Sequence, residues 1–450
     1  KWQITGGTTT ANVAMTLNGA FDWAGGTIAG TGTLTTAGAV NVTSGGTLQD
    51  KVWTNNGTLN ISANGQIALG GTSATFTNSS TGVMVDTTSA SFPITYSTTQ
   101  AGKTFNNAGN FSKNVGSSAS QTIDVAVNNS GTLNVNSGTL RMSNGGTESG
   151  LFAIATGSTL ESLGNNFTIS GASFTGAGSF LISGGSVAVT SAYTQAVTDA
   201  KWQITGGTTT ANVGLTFNGG LDWSAGTITG TGVLTTAGTT NVTSGVSLTD
   251  KSWTNNGSLN ISVNGQIGLG GTSATFTNSA TGAIVDTSGA SFPITYSTTQ
   301  AGKTFNNAGT FSKNAGSSAS QTIDIAVNNS GTMNVNSGTM RLSSGGTETG
   351  AFALAASTVL ESFGTLTLNG STFTGGGTFL ISGGSVNVAS AYTQALTNPK
   401  WQVTGGTTTA NVGLTFNGGF DWSAGTITGT GAMTTAGTTN VTSGVVLSDK

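Results

Sequence analysis

The chain has 450 residues, 72 of them glycine and only 6% charged, with no His, no Cys and a net charge of -3. Those absences exclude Ser-His and Cys-His nucleophiles, imidazole or thiolate metal sites and disulfide staples. The acidic balance leaves no electrostatic footprint for nucleic acid or an anionic membrane, and no apolar run is long enough to insert into a bilayer.

Read from the start, Lys1-Trp2-Gln3-Ile4 is followed by Gly6-Gly7 and by Thr8-Thr9-Thr10, and Gly25-Gly26 precedes another short strand before Thr33-Leu34-Thr35-Thr36. Without a helix to follow them, Gly25-Gly26 and Gly145-Gly146 read as turns, not as phosphate cradles. Trp53-Thr54-Asn55-Asn56-Gly57-Thr58-Leu59 then sets a rhythm of aromatic or β-branched residue, Asn, Gly-bounded turn and alternating strand. It returns at Phe76-Thr77-Asn78-Ser79, Phe105-Asn106-Asn107-Ala108-Gly109 and Val127-Asn128-Asn129-Ser130-Gly131. Thr58-Leu59-Asn60-Ile61, Thr132-Leu133-Asn134-Val135 and Thr139-Leu140-Arg141-Met142 alternate with the period of 2 that a half-buried strand requires. Helical spacing is absent over any useful length, and glycine is too frequent for helix interiors.

At Lys201 the opening returns, running to Val213, and it returns again from Lys400 to Val412 with one change, Val403 for Ile. Ala90 to Gly109 recurs unchanged at Ala290 to Gly309, and one residue is lost between copies near Asn165 and Asn166. The chain therefore divides into copy 1 (1–200), copy 2 (201–399) and the start of copy 3 (400–450). Because it opens and stops inside a copy, it reads as a window of a longer array.

Anchors that recur every ~20 to 30 residues have the length of one turn of a stacked-coil repeat. Asn and Gly suit its corners, repeated Asn side chains can form ladders, and L-residue chirality favours a right-handed crossover. The expected fold is all-β, a right-handed parallel β-helix or β-solenoid. About eight coils per copy at ~4.8 Å each predict roughly 40 Å per copy and about 90 Å for the chain.

The copies also predict the interior. Met84/Ile284, Val125/Ile325, Leu133/Met333, Leu140/Met340, Met142/Leu342 and Ile154/Leu354 are near-volume-conserving exchanges of the kind a packed core tolerates. Asn110/Thr310 and Asn144/Ser344 drift as exposed positions do.

The acids Asp22, Asp50, Asp86, Asp124, Glu148, Glu161 and Asp199 are scattered, and all but Asp199 reappear in copy 2, which speaks against one active site. The Gly-Gly-x-Gly-x-Asp calcium nonapeptide does not occur, so Asp22, Asp86 and Asp124 read as solvated acids or turn caps, with one ligand of a weak calcium site as the alternative. Trp2, Trp23, Trp53, Trp202, Trp223, Trp253, Trp401 and Trp422 read as core or corner packing, with a sugar-stacking stripe as the alternative. Lys51, Lys103, Lys113 and Arg141 read as gatekeepers against edge pairing. No catalytic, cofactor-binding or metal-binding residue is assigned.

Val127-Asn128-Asn129-Ser130-Gly131-Thr132-Leu133-Asn134-Val135 and Phe174-Thr175-Gly176-Ala177-Gly178, in repeats without His or Cys, resemble the repeat regions of large bacterial surface and secreted β-solenoid proteins. Filamentous-haemagglutinin-like adhesins and autotransporter passenger domains are of this kind. The resemblance implies a non-enzymatic structural shaft of an extracellular filament, stalk or giant adhesin at the cell surface. Its expected partners are itself, by end-to-end continuation of the array and lateral bundling into a fibre, and a cell, prey or host surface met through a tip domain outside this window. No cofactor, nucleic acid or membrane insertion is expected. The alternatives are a carbohydrate- or ice-binding face rich in Thr and Asn and, more remotely, a polysaccharide-cleaving β-helix enzyme.

Overall fold

The computed structural model describes residues 1–164 and 166–450; Asn165, at the expected length change between copies, lies outside the described residues. Among the described residues every regular element is a strand, most of three to five residues, and successive coils are joined by parallel ladders. The chain is an all-β parallel solenoid with no helix, as expected. It divides into two compact units, Lys1–Leu221 and Asp222–Lys450.

In the first unit each coil contributes three strands, which pair from coil to coil in several ladders. One ladder runs from Trp2–Ile4 to Ser173–Thr175 in nine strands. A second joins five strands from Thr8–Thr10 to Ile94–Tyr96, and another ladder carries Ser120–Ile123 on to Lys201–Ile204. A further ladder begins at Met15–Leu17 and includes Thr208–Ala211, and Tyr193–Gln195 pairs with Leu215–Phe217 in another. In the second unit, one ladder runs from Thr239–Val242 to Thr372–Thr374, and others pass through Ser252–Asn255 and Ser320–Ile323.

Period-2 alternation decides which side chains enter the coil. In Thr132–Val135, Leu133 and Val135 are buried while Thr132 and Asn134 are partly exposed, and Thr139–Met142 repeats the pattern. Parallel pairing then stacks like on like: Phe76 pairs with Phe105 and their rings stack at 5.3 Å. Met84 pairs with Phe111, which in turn pairs with Leu133. Each buried aromatic removes its own large apolar area from water and gains from ring contact with the next coil.

Corners need unusual backbone. At Gly146, with φ +139°, a Cβ would lie 1.6 Å from the Val127 carbonyl oxygen, and at Gly26, with φ +84°, 2.7 Å from that of Gly7. Only glycine lets one coil close against the previous one there, and each pair sits at a corner where the chain enters the next strand, at Gly26 and Gly146.

Coil length varies. Along the first ladder, Phe21 pairs with Val40 after 19 residues, whereas Met84 pairs with Phe111 after 27. Many coils take about 19 or 20 residues, so a copy holds a little more than nine, slightly tighter than the anchor spacing implied. The wider coils hold the protruding segments around Phe92 and Val115.

Met84, Ile284, Val125, Ile325, Leu133, Met333, Leu140, Met340, Met142, Leu342, Ile154 and Leu354 are all buried, so the interior inferred from the copies is the interior found. Met84→Ile, the exchange already present at Ile284, is expected to cost under about 1.5 kcal/mol. Leu133→Ala leaves a cavity and is expected to cost about 2–5 kcal/mol. Denaturant unfolding of the two variants checks this; equal losses would contradict the core assignment.

Candidate functional site: a buried amide column and its ionisable neighbours

Each unit buries a set of polar side chains inside its coils. In Trp53-Thr54-Asn55 the alternation that buries Trp53 also buries Asn55. Asn78, Asn107 and Asn129 occupy the same place in the following coils, and all four are fully buried.

Burying a primary amide without partners would cost about 1–3 kcal/mol. Stacking removes that cost. Trp53 Nε1 donates to Thr36 Oγ1 at 3.1 Å, and Thr36 Oγ1 donates to Asn55 Oδ1 at 3.2 Å. Asn55 Nδ2 then donates to Asn78 Oδ1 at 3.0 Å, Asn78 to Asn107 at 2.9 Å, and Asn107 to Asn129 at 2.8 Å. The second proton of each amide reaches a backbone carbonyl at a turn or at the start of a strand, as from Asn78 to Gly82 O at 3.2 Å and from Asn107 to Thr132 O at 3.0 Å. The second unit builds the same column from Thr236, Asn255, Asn278, Asn307 and Asn329. The Asn ladders expected at the corners are present, and these lie inside the coil.

The column ends on a carboxyl. Glu148 is fully buried; its Oε2 accepts from the Asn129 backbone N–H at 3.1 Å while Oε1 has no hydrogen-bond partner. Burial, only partly offset by that bond, holds Glu148 well above the usual carboxylate range and pushes Glu348 up to about 8, so Glu348 is largely neutral at pH 7.

The lysines expected to be surface gatekeepers are buried instead. Lys51 donates to the Ala11 carbonyl at 2.7 Å, and Lys450, at the matching place in copy 3, donates to Ala410 O at 2.6 Å. Lys103 donates to Gly71 O and to Thr99 Oγ1. Lys113 reaches Ser117 Oγ, Ser118 O and Ser137 O at 2.8–2.9 Å. The physical reason is parity: each lies two residues from an inward aromatic, at Trp53, Phe105 and Phe111, and so faces the interior, where its ammonium caps corner carbonyls. Arg141 alone of these cations stays half-exposed, bonding Glu161 at 2.7 Å on the next coil.

The remaining acids do not converge. Asp86 is buried beside Lys113; burial raises it to about 6 against the pull of the Thr88 N–H, and its Oδ2 has no partner. Burial also raises Asp124. Asp22 is partly exposed and held near 2 by Asn41 and Lys1. Asp50, at φ +51°, accepts from Thr72 N and Oγ1, which lowers it. Asp199 Oδ2 accepts from Ala196 N at 2.8 Å. Among the described residues no three His, Cys, Asp or Glu cluster as a metal site. An open cleft in the second unit is lined by Gly370, Phe373, Tyr392, Thr393 and Asn398 and holds no acid–base pair.

Seven of the eight tryptophans are buried in the core, and Trp2, on the first coil, is half-exposed. Their rings pack on neighbours in adjoining coils, as Trp53 does on Phe76 at 4.6 Å.

No protein-family model, curated protein or solved structure matches this chain.

Two predictions follow from the column. Asn107→Ala, which strands its neighbours' buried groups, is expected to cost about 1–3 kcal/mol, whereas the outward Asn106→Ala is expected to cost under about 0.5, both read by denaturant unfolding. For Glu348 the folded chain keeps a proton that the unfolded chain releases near pH 4.5. This group's contribution is therefore fully present at acid pH and lost as pH rises from about 4.5 through about 8. Glu348→Gln is expected to gain stability over the native chain across that window, by about 1–3 kcal/mol at pH 8. A gain of the same size at pH 4 and pH 8 would show that the carboxyl does not titrate this way.

Proposed function

We propose that the chain is a structural, non-enzymatic shaft: part of an extracellular bacterial filament, stalk or giant adhesin at the cell surface, lengthened by stacking tandem solenoid repeats. The observation that carries the reading is the use made of the ionisable and amide side chains. Asn55, Asn78, Asn107, Asn129, Lys51, Lys103 and Lys113 are spent on joining coil to coil or capping corners. A repeat that uses its chemistry to hold its neighbours adds length, and adding length is what a shaft does. The array continues end to end with itself, and bundling and tip-borne contact with another surface follow from the same proposal.

Thin straight rods are expected by electron microscopy of the purified chain, and each added copy should lengthen them by about 45 Å, from a little over nine coils at ~4.8 Å. Round or flexible particles would end the proposal.

A second reading has one observation in its favour. Phe92 and Tyr96 are about 40% exposed, as are Phe292 and Tyr296, within the stretch that the copies share unchanged. Exposed aromatics on a Thr-rich surface suit carbohydrate stacking. A glycan array without signal would remove it.

A further inference from the structure

The second copy does not start where the first one did. In the first unit, Thr8–Thr10 pairs with Thr27–Ala29 in the ladder that ends at Ile94–Tyr96. Its repeat, Thr208–Ala211, pairs with Ser186–Val189 and belongs to a different ladder, the one that begins at Met15–Leu17. Trp2 belongs to the ladder that ends at Ser173–Thr175, whereas Trp202 stacks on Phe180, Leu160, Leu140 and Gln121 in the ladder that begins at Ser120–Ile123.

The second unit repeats the offset on its own. Thr239–Val242 lies in the ladder that passes Leu259 and ends at Thr372–Thr374. Its repeat Thr439–Val441 stacks instead on Phe420, Trp401 and Phe379.

Counting explains both. Copy 1 carries 28 strands, from Trp2–Ile4 to Tyr193–Gln195, and each coil uses three, which leaves one over. The chain thus enters copy 2 one side further round.

We infer that each copy enters the coil one ladder on from the copy before, so that a repeat-borne segment returns to the same ladder only every third copy, about every 600 residues. Resting on the shaft reading, this gives the shaft its interaction geometry. Any patch carried by the repeat, the Phe92 and Tyr96 pair included, then falls on each of the three ladders of a coil in turn. Neighbours that surround the shaft, such as further copies of this chain in a bundle, meet the patch equally from each side. A flat partner such as an ice plane or a glycan layer meets it on one copy in three.

Because the chain has no cysteine, pairs of nitroxide labels on the intact 450-residue protein can read the offset directly. The pair Leu181→Cys with Gln203→Cys joins partly exposed ladder partners, ~4.8 Å apart. The pair Thr175→Cys with Gln203→Cys would be the neighbouring pair if copy 2 continued the ladder of Trp2. Strong dipolar broadening is expected in the 181/203 spectrum, with clearly less at 175/203. The second unit gives an independent measurement from Leu380→Cys with Gln402→Cys against Thr374→Cys with Gln402→Cys, should one variant fail to fold. Broadening that is equal within the two pairs, or stronger at 175/203 and 374/402, would overturn the inference. The spectra report the ladder whatever the chain's role. The expected pattern in particles that are not rods would therefore refute the shaft and leave the offset standing.

Discussion

The interior of each coil is packed with apolar side chains, and a polar group that alternation turns inward needs a partner at a corner of its own coil or in the coil above or below. The Asn column meets that constraint by repetition. An amide carries both donors and an acceptor, so a stack of identical amides satisfies itself in a way that a stack of carboxylates does not. It also fixes register, because a slip of one residue would turn Asn55 outward along with Trp53 and bring Thr54 into the interior. Pairing like residues in parallel therefore does for the polar interior what ring stacking does for the aromatic one.

Glu148 and Asp86 show where the repetition stops. Each is a carboxyl held in the interior with one oxygen unpartnered, and burial answers by favouring the proton. The lysines escape this difficulty because corners expose carbonyls, and an ammonium has three protons to give them.

Much of this was legible in the residues. Alternation in Thr132–Val135 and its relatives showed strands, the Asn-Gly turns showed parallel coils, and paired exchanges such as Leu133/Met333 marked the core. The burial of Lys51, Lys103 and Lys113 was misjudged because charge was weighed above parity. The same count of two that places Trp53 inside also places Lys51 and Asn55 inside, so the signal was present and outweighed by the usual cost of burying an ammonium. Glu148 gave less warning: Gly146-Thr147-Glu148 lacks an aromatic to set its parity, and only the pairing of Asn129 with Glu148 reveals its side. The leftover strand could not be read before the strands were bounded, since coils of 19 and 27 residues hide a three-strand period from any fixed spacing.

The amide column has a mechanical consequence within each unit. Its bonds run along the stacking direction, the direction in which backbone bonds join one coil to the next. Tension applied that way loads side-chain and main-chain bonds together, so a coil inside the column resists peeling with more bonds than a coil outside it. Past Asn129 the amide chain gives way to a carboxyl that offers no onward link through Oε1. A stretched unit should part first beyond Glu148, leaving the amide-bonded coils as the last intact segment.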